Sequence, residues 1–346
     1  MSVEPEIIFD LRDGIAEVTL NRPQALNALT LNMVRILDSQ LAAWETDDAV
    51  CVVVVRGAGD KAFCAGGDIQ KLYDGGPKSL ITQEFFREEY RLNWRIHNYP
   101  KPYIAIMDGI TMGGGVGLSV HAGTRIAADN TIFAMPETGI GLFPDVGGSW
   151  FLPRLPGELG MYMAMTGARL KFADCVYAKI CDAYMPSDRH DEFVAALRAG
   201  KGIENVLACL SVAPGEAALA EIRDAIDLCF SGRSVEEIVM ALEADGSEWS
   251  TKQLGIMAGK SPTSQKVAYR QLRAGAALDF DGCMVMEYRM SQAFMEGGDT
   301  FEGIRAVVVD KDMSPKWSPA SLSDLSDADV ARYFISLGER DLTFPD

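Results

Sequence analysis

Up to about residue 214 this chain alternates short β-branched runs, bounded by Gly, Pro or Asp, with longer amphipathic stretches; beyond that point no strand-like run occurs. Such alternation demands a sheet with helices packed on it, because the apolar faces of the strands need a neighbouring layer to cover them. The opening reads as a hairpin, residues 6–11 and 15–20 about the turn Arg12-Asp13-Gly14. A helix is expected over 30–46, a strand over 51–56, a helix start over 68–73, a helix over 82–98 and a strand over 102–107. A short helix from Gly114 and small strands over 124–128 and 131–133 follow. After Pro214 come alanine-, leucine- and acid-rich helices over 217–230, 235–244, 251–259, 263–275 and 283–297. The expected fold class is α/β, with a core over 1–214 and a helical region over 215–346, and 346 residues suffice for about two domains.

A formal net charge of −17 works against general binding to nucleic acid or anionic membranes, since no basic stripe offsets it. No stretch approaches the roughly twenty uncharged apolar residues of a membrane span. The acidic opening Met1-Ser2-Val3-Glu4-Pro5-Glu6 lacks an apolar leader core, so a cytoplasmic bacterial protein is expected. Seven cysteines form no C-x-x-C pair and three histidines lie far apart, which points to reduced thiols and no metal site. Cys64 beside a glycine turn reads as a small buried thiol rather than a nucleophile.

Two glycine turns follow strand-like runs: Phe63-Cys64-Ala65-Gly66-Gly67-Asp68 and Met112-Gly113-Gly114-Gly115-Val116-Gly117. In the second, the first amides of a nascent helix, including that of Gly114, have no intrahelical acceptor and can donate to an oxyanion. Taken together the turns suggest a pair of donors. Gly113, Gly115 and Leu118 fail the dinucleotide fingerprint at its third glycine, and Gly117-Leu118-Ser119-Val120-His121 lacks the second glycine of a serine-hydrolase elbow. Two carboxylates, Glu137 and Asp145, lie in the apolar, glycine- and proline-rich run from Phe133 to Gly148 and suit acid-base or nucleophilic chemistry. A third acid, Glu89, shares a helix face with Phe85, Leu92 and Ile96 and so points inward; a buried salt bridge is the ordinary alternative. Glu84, Arg87, Glu88, Arg91 and Arg95 fall on other faces and read as solvated ion pairs.

The segments Asn21-Arg22-Pro23-Gln24-Ala25-Leu26-Asn27-Ala28-Leu29 and Ala62-Phe63-Cys64-Ala65-Gly66-Gly67-Asp68-Ile69, with the triple glycine, resemble the crotonase (enoyl-CoA hydratase/isomerase) superfamily. The resemblance implies a spiral of ββα units and an acyl-CoA thioester as substrate. It places Gly67 and Gly114 at the two oxyanion-hole amides, Glu137 at the second catalytic glutamate of hydratases, and Gly117 where their first one stands. Within the superfamily, Phe86-Arg87-Glu88-Glu89-Tyr90, the stretch from Gly109 to Gly117, the stretch from Met135 to Gly148, Lys260-Ser261-Pro262-Thr263-Ser264 and Phe301-Glu302-Gly303-Ile304-Arg305-Ala306-Val307 resemble the 3-hydroxyisobutyryl-CoA hydrolases. That likeness implies substrate contacts at Glu89, Gly114, Glu137 and Asp145 and a place in valine breakdown.

From this come the functional expectations. Thioester cleavage would be driven by Glu137 with Asp145 as proton partner, Gly67 and Gly114 would hold the oxyanion, and Glu89 would meet the acyl hydroxyl. Coenzyme A would lie along Arg22, Ala25, Gly66, Asp68 and Ile69, with Arg22, Lys61 and Lys101 as candidate phosphate partners. No cofactor is expected beyond the coenzyme A of the substrate, and a homo-oligomer is expected. An enoyl-CoA isomerase or hydratase-type enzyme, or a non-catalytic acyl-CoA-binding scaffold, remain the alternatives.

Overall fold

The computed structural model describes residues 4–345; residues 1–3, part of the acidic opening on which the leader argument rests, lie outside the described residues, as does Asp346. The strands are β1 (Ile7–Arg12), β2 (Ile15–Leu20), β3 (Val52–Gly57), β4 (Ala62–Cys64), β5 (Tyr103–Met107), β6 (Ile110–Met112), β7 (Thr124–Ala127), β8 (Ile132–Ala134), β9 (Leu170–Lys171) and β10 (Ala183–Tyr184). Beyond Tyr184 the described chain forms helices and loops alone. The α/β expectation holds.

By internal contacts the chain divides into two compact units, each assembled from three segments. The first takes the described residues of Met1–Gly67 with Arg91–Phe133 and Leu170–Ala220; the second takes Asp68–Tyr90, Ala134–Arg169 and the described residues of Glu221–Asp346. This division is interleaved, where the sequence suggested one boundary at residue 214.

In the first unit a six-stranded sheet has the order β1-β2-β3-β5-β7-β10. Only the β1–β2 pair is antiparallel, closed by Asp13 and Gly14 at φ +50° and +80°, the left-handed geometry that a two-residue hairpin turn requires. β2, β3, β5, β7 and β10 pair in parallel. Val54, Ile104, Ile106 and Ile126 project from this sheet onto Phe193, Val194 and Leu197 of the His190–Arg198 helix, all of them buried. Each such side chain contributes about 1.5–3 kcal/mol by leaving water. A second sheet, β4-β6-β8-β9, was not expected, because strands of two or three residues are too short to show a period.

The second unit is built on helices. Val235–Asp245, Glu248–Ala258, Pro262–Gly275 and Phe280–Phe294 start at Ser234, Ser247, Ser261 and Asp279, whose side chains each accept from a backbone amide three residues on. A cap of this type stabilises a helix by about 1 kcal/mol. All eight residues of the Leu159–Thr166 helix are buried, and Phe143 stacks on Phe294 with ring centroids 5.5 Å apart.

Candidate active site

Cys64 ends β4 and Met112 ends β6, and each strand runs into a glycine turn. Because β4 and β6 pair in parallel, the turns leave the same end of the second sheet. They touch: a Cβ on Gly115 would lie 2.0 Å from the Cys64 carbonyl oxygen, so only glycine permits this approach. Gly114 opens the Gly114–Ser119 helix, and its N–H therefore has no intrahelical acceptor. The Gly66 carbonyl accepts from the Leu29 amide at 2.8 Å, which pins the turn carrying Gly67. Cys64 is a buried thiol with Sγ 3.7 Å from that carbonyl, and none of the seven cysteines forms a disulfide among the described residues. Gly117 is buried inside the helix, with no side chain to offer.

The three acids fall within the second unit. Glu137 begins a 3-10 turn, Glu137–Ile140, which Gly141 closes in the left-handed conformation at φ +70°. The turn is tied down by the Ser261 amide donating to Thr138 O (3.1 Å) and by Thr300 Oγ1 donating to Gly141 O (2.6 Å). Glu137 is 4 % exposed and its Oε2 has no partner among the described residues. Burial, then the charge of Asp145, pushes its carboxyl well above the ordinary range, while the Lys260 ammonium pulls it down. Lys260 is itself lowered by burial and by Arg169, against the charge of Glu137.

Asp145 accepts from the Tyr90 hydroxyl at 2.9 Å. Burial raises it to about 7, against that hydrogen bond. Glu89, 2 % exposed, is also raised well above its usual range, first by burial and then by Asp145, and its Oε1 is unpartnered among the described residues. Among the described residues no salt bridge neutralises Glu89, so the ordinary alternative for it fails there. Asp145 is thus the shared neighbour of Glu89 and Glu137. A buried carboxyl keeps its proton more readily than one in water, and for Asp145 proton exchange near neutral pH becomes available.

Sequence patterning missed Tyr90, Lys260 and Glu287. The signal for Glu287 was present, an acid in the otherwise apolar run Cys283-Met284-Val285-Met286, and it is fully buried. Nor are all the flanking charges of the Leu80–His97 helix solvated: Arg95 pairs with Asp38 at 2.7 Å with its side chain 15 % exposed, and Arg87 donates to the Tyr288 hydroxyl at 2.8 Å.

The residues expected along coenzyme A are spread more widely. Arg22 is committed to Glu6 at 3.3 Å and to the Ala28 carbonyl at 2.5 Å. Lys101 donates to the carbonyls of Trp44 (2.6 Å) and Asp47 (2.7 Å), so both cations act on the chain itself. Ala25 ends the Pro23–Ala25 turn, Gly66 lies in the first glycine turn, and Asp68 precedes the Ile69–Gly75 helix. Lys61 lines a cavity of about 210 Å³ with Pro23, Leu26, Asn27, Ala58 and Gly59.

Comparisons with known proteins show the family of the chain. Residues 15–334 match the family model described as Enoyl-CoA hydratase/isomerase. The chain is 48 % identical over 348 residues to the 3-hydroxyisobutyryl-CoA hydrolase, mitochondrial, of Danio rerio (97 % of this chain, 91 % of that protein). It is 46 % identical over 351 residues to the Homo sapiens protein of the same description (98 % and 91 %). A crystal structure titled as a carnitinyl-CoA dehydratase from Mycobacterium thermoresistibile superposes with a TM-score of 0.94 at 41 % identity, covering 98 % of each chain. The cytoplasmic expectation is corrected: these curated relatives are named as mitochondrial. The physical reason is that a net negative charge and the lack of a described helix long and apolar enough to cross a membrane do not distinguish one aqueous compartment from another.

Proposed function

The chain belongs to the enoyl-CoA hydratase/isomerase family, and from that membership we propose that it hydrolyses the thioester of a short 3-hydroxyacyl-CoA, with 3-hydroxyisobutyryl-CoA as first candidate. The observation that carries this is Glu137, a buried carboxyl beside Asp145 with an oxygen that has no partner among the described residues, while the resemblance to hydratases puts their other glutamate at Gly117. A hydratase uses both acids to hold one water, and glycine holds none.

The amides of Gly67 and Gly114 are assigned to the thioester oxygen, where one such donor is typically worth about 3–4 kcal/mol. Glu137 either activates a water or attacks the carbonyl carbon itself. In the second route a Glu137 oxygen bonds to carbon, the C–S bond breaks, and the departing thiolate takes a proton from Asp145. Water then opens the anhydride, restoring Glu137 and releasing the hydroxy acid. Asp145, poised at about 7, suits both giving and retaking that proton. Glu89 is assigned to the acyl hydroxyl, and the cavity at Lys61 to the nucleotide end of coenzyme A. We assign no cofactor, and a homo-oligomer is proposed, to be checked by sedimentation.

A thiol-release assay over hydroxylated and plain short-chain acyl-CoA thioesters tests the activity: release of coenzyme A with hydroxy acid supports it. Single turnover in heavy-oxygen water separates the routes, since label appearing in Glu137 marks the anhydride. A second reading comes from the dehydratase title of the Mycobacterium structure; an unsaturated acyl-CoA without free thiol would replace hydrolysis by it. Tight binding of acyl-CoA with no turnover would leave only a scaffold.

A further inference from the structure

Asp145 sits on a strained loop. Val146, a β-branched residue, has φ +50°, and Gly147 has φ +88°. A β-branched side chain does not adopt the left-handed region without constraint from its surroundings. Those surroundings are two helices of the same unit.

From Phe280–Phe294, Glu287 reaches the loop just after Asp145. Its Oε2 accepts from the Gly147 amide at 2.8 Å, and its Oε1 accepts from the Ser149 amide at 2.8 Å and from the Ser149 hydroxyl. From Pro262–Gly275, Gln271 donates through Nε2 to the Pro144 carbonyl at 2.6 Å, on the other side of Asp145. The same helix presses close at Gly275, where a Cβ would meet the Ser149 carbonyl oxygen at 2.1 Å. Both side chains are fully buried. A fully buried carboxyl is costly, and Glu287 is pushed up to about 8 chiefly by burial, yet it is spent on three donors of one short loop rather than on a cation.

We propose that Glu287 is a positioning residue for the reaction: with Gln271 it clamps residues 144–149 from both sides and thereby aims the Asp145 carboxyl at its partners. Gln271 fixes where the loop enters, Glu287 fixes where it leaves, and Val146 is held in the conformation that turns Asp145 toward the Tyr90 hydroxyl. The kinetic consequence rests on the role assigned to Asp145 above; the clamp itself does not.

The test is Glu287→Gln, which keeps the shape but turns an NH2 group toward donors that need an acceptor. Its crystal structure is expected to show Asp145 moved off the Tyr90 hydroxyl. Thiol release is expected to lose about 10²-fold in kcat, the cost of a small misplacement, with KM changed far less. In an Asp145→Asn background the same substitution should slow the reaction no further, although thermal stability falls in both backgrounds; a merely structural role would lower kcat in both. Ser149→Ala, which deletes one of the three donors, is expected to shift Asp145 less and in the same direction, and it serves if Glu287→Gln does not fold. If Asp145 stays within hydrogen-bond distance of Tyr90 in both variants, or if the two kcat losses add, the proposal is overturned. If Asp145 moves and thiol release does not change, the clamp stands and the catalytic role of Asp145 fails.

Discussion

In the first unit the candidate donors are backbone N–H groups, aimed by the parallel pairing of β4 and β6 and needing only that no Cβ intrudes. In the second the candidate groups are side-chain carboxyls whose protonation is set by burial and by one another. Backbone donors keep the same charge at every pH and cost no reorganisation, so they suit fixed stabilisation of a developing oxyanion. Among the buried acids Asp145, raised to about 7, changes state near neutral pH, so it suits proton transfer. The difference teaches that the two kinds of group fail differently when disturbed: the glycine turns through shape, the acids through pH.

The sharpest way to break this contrast is Glu137→Gln, which leaves the turns intact and is expected to lower the kcat of thiol release by up to about 10⁴-fold. Full speed in this variant would remove Glu137 from the chemistry. In the wild type, because burial and the charge of Asp145 raise Glu137, the acid limb of the rate profile should have its midpoint above the ordinary glutamate value of 4.5. A limb at that value or below would show an acid in ordinary solvation.

Gly114→Pro tests the other side. Proline fits a first helical position but has no N–H, so a loss of about 10²- to 10³-fold in kcat is expected, with circular dichroism unchanged and no shift of the pH profile. A shifted profile would mean that the turns and the acids are not separable.

Glu89→Ala sharpens the comparison inside the acid group. The preference for hydroxylated over plain acyl thioesters should fall about tenfold, the worth of one buried hydrogen bond, while kcat for the plain substrate changes little. An unchanged preference ratio removes the specificity role.

The smallest effect concerns stability. Asp145 is raised to about 7 in the folded chain from the ordinary aspartate value of 3.8, so between those values the folded state holds a proton that the unfolded state has released. Its contribution is therefore fully present below the lower value and is lost as pH rises through about 7. The Tm of the wild type relative to Asp145→Asn is expected to fall by a few °C, on the order of one modest interaction, as pH is raised through that window. A rise with pH would reverse the sign assigned to Asp145.

Much of this was legible in the residues. The hairpin needed only Asp13 and Gly14, and the Leu80–His97 helix showed its inward face through Phe85, Glu89, Leu92 and Ile96. Each glycine turn alone reads as an ordinary tight turn, and only the pair of them, each after a strand, suggested donors. Tyr90 was less legible: it sits one position from Glu89, and single-helix periodicity does not say which neighbouring face also meets buried structure. The second sheet escaped notice since its strands are two or three residues long.

By itself, then, the sequence determined what depends on neighbours along the chain: the turns, the helix caps, the alternation that makes an α/β fold, and which acids lie in apolar surroundings. Tertiary structure alone decided that Asp145 neighbours both Glu89 and Glu137, that Arg22 and Lys101 are bound to the chain itself, and that Glu287 reaches back 138 residues to Ser149. The reason is physical. Local conformation follows from short-range sterics and hydrogen bonding, whereas the state of a buried charge depends on everything packed within a few ångströms of it, and those groups arrive from distant parts of the chain.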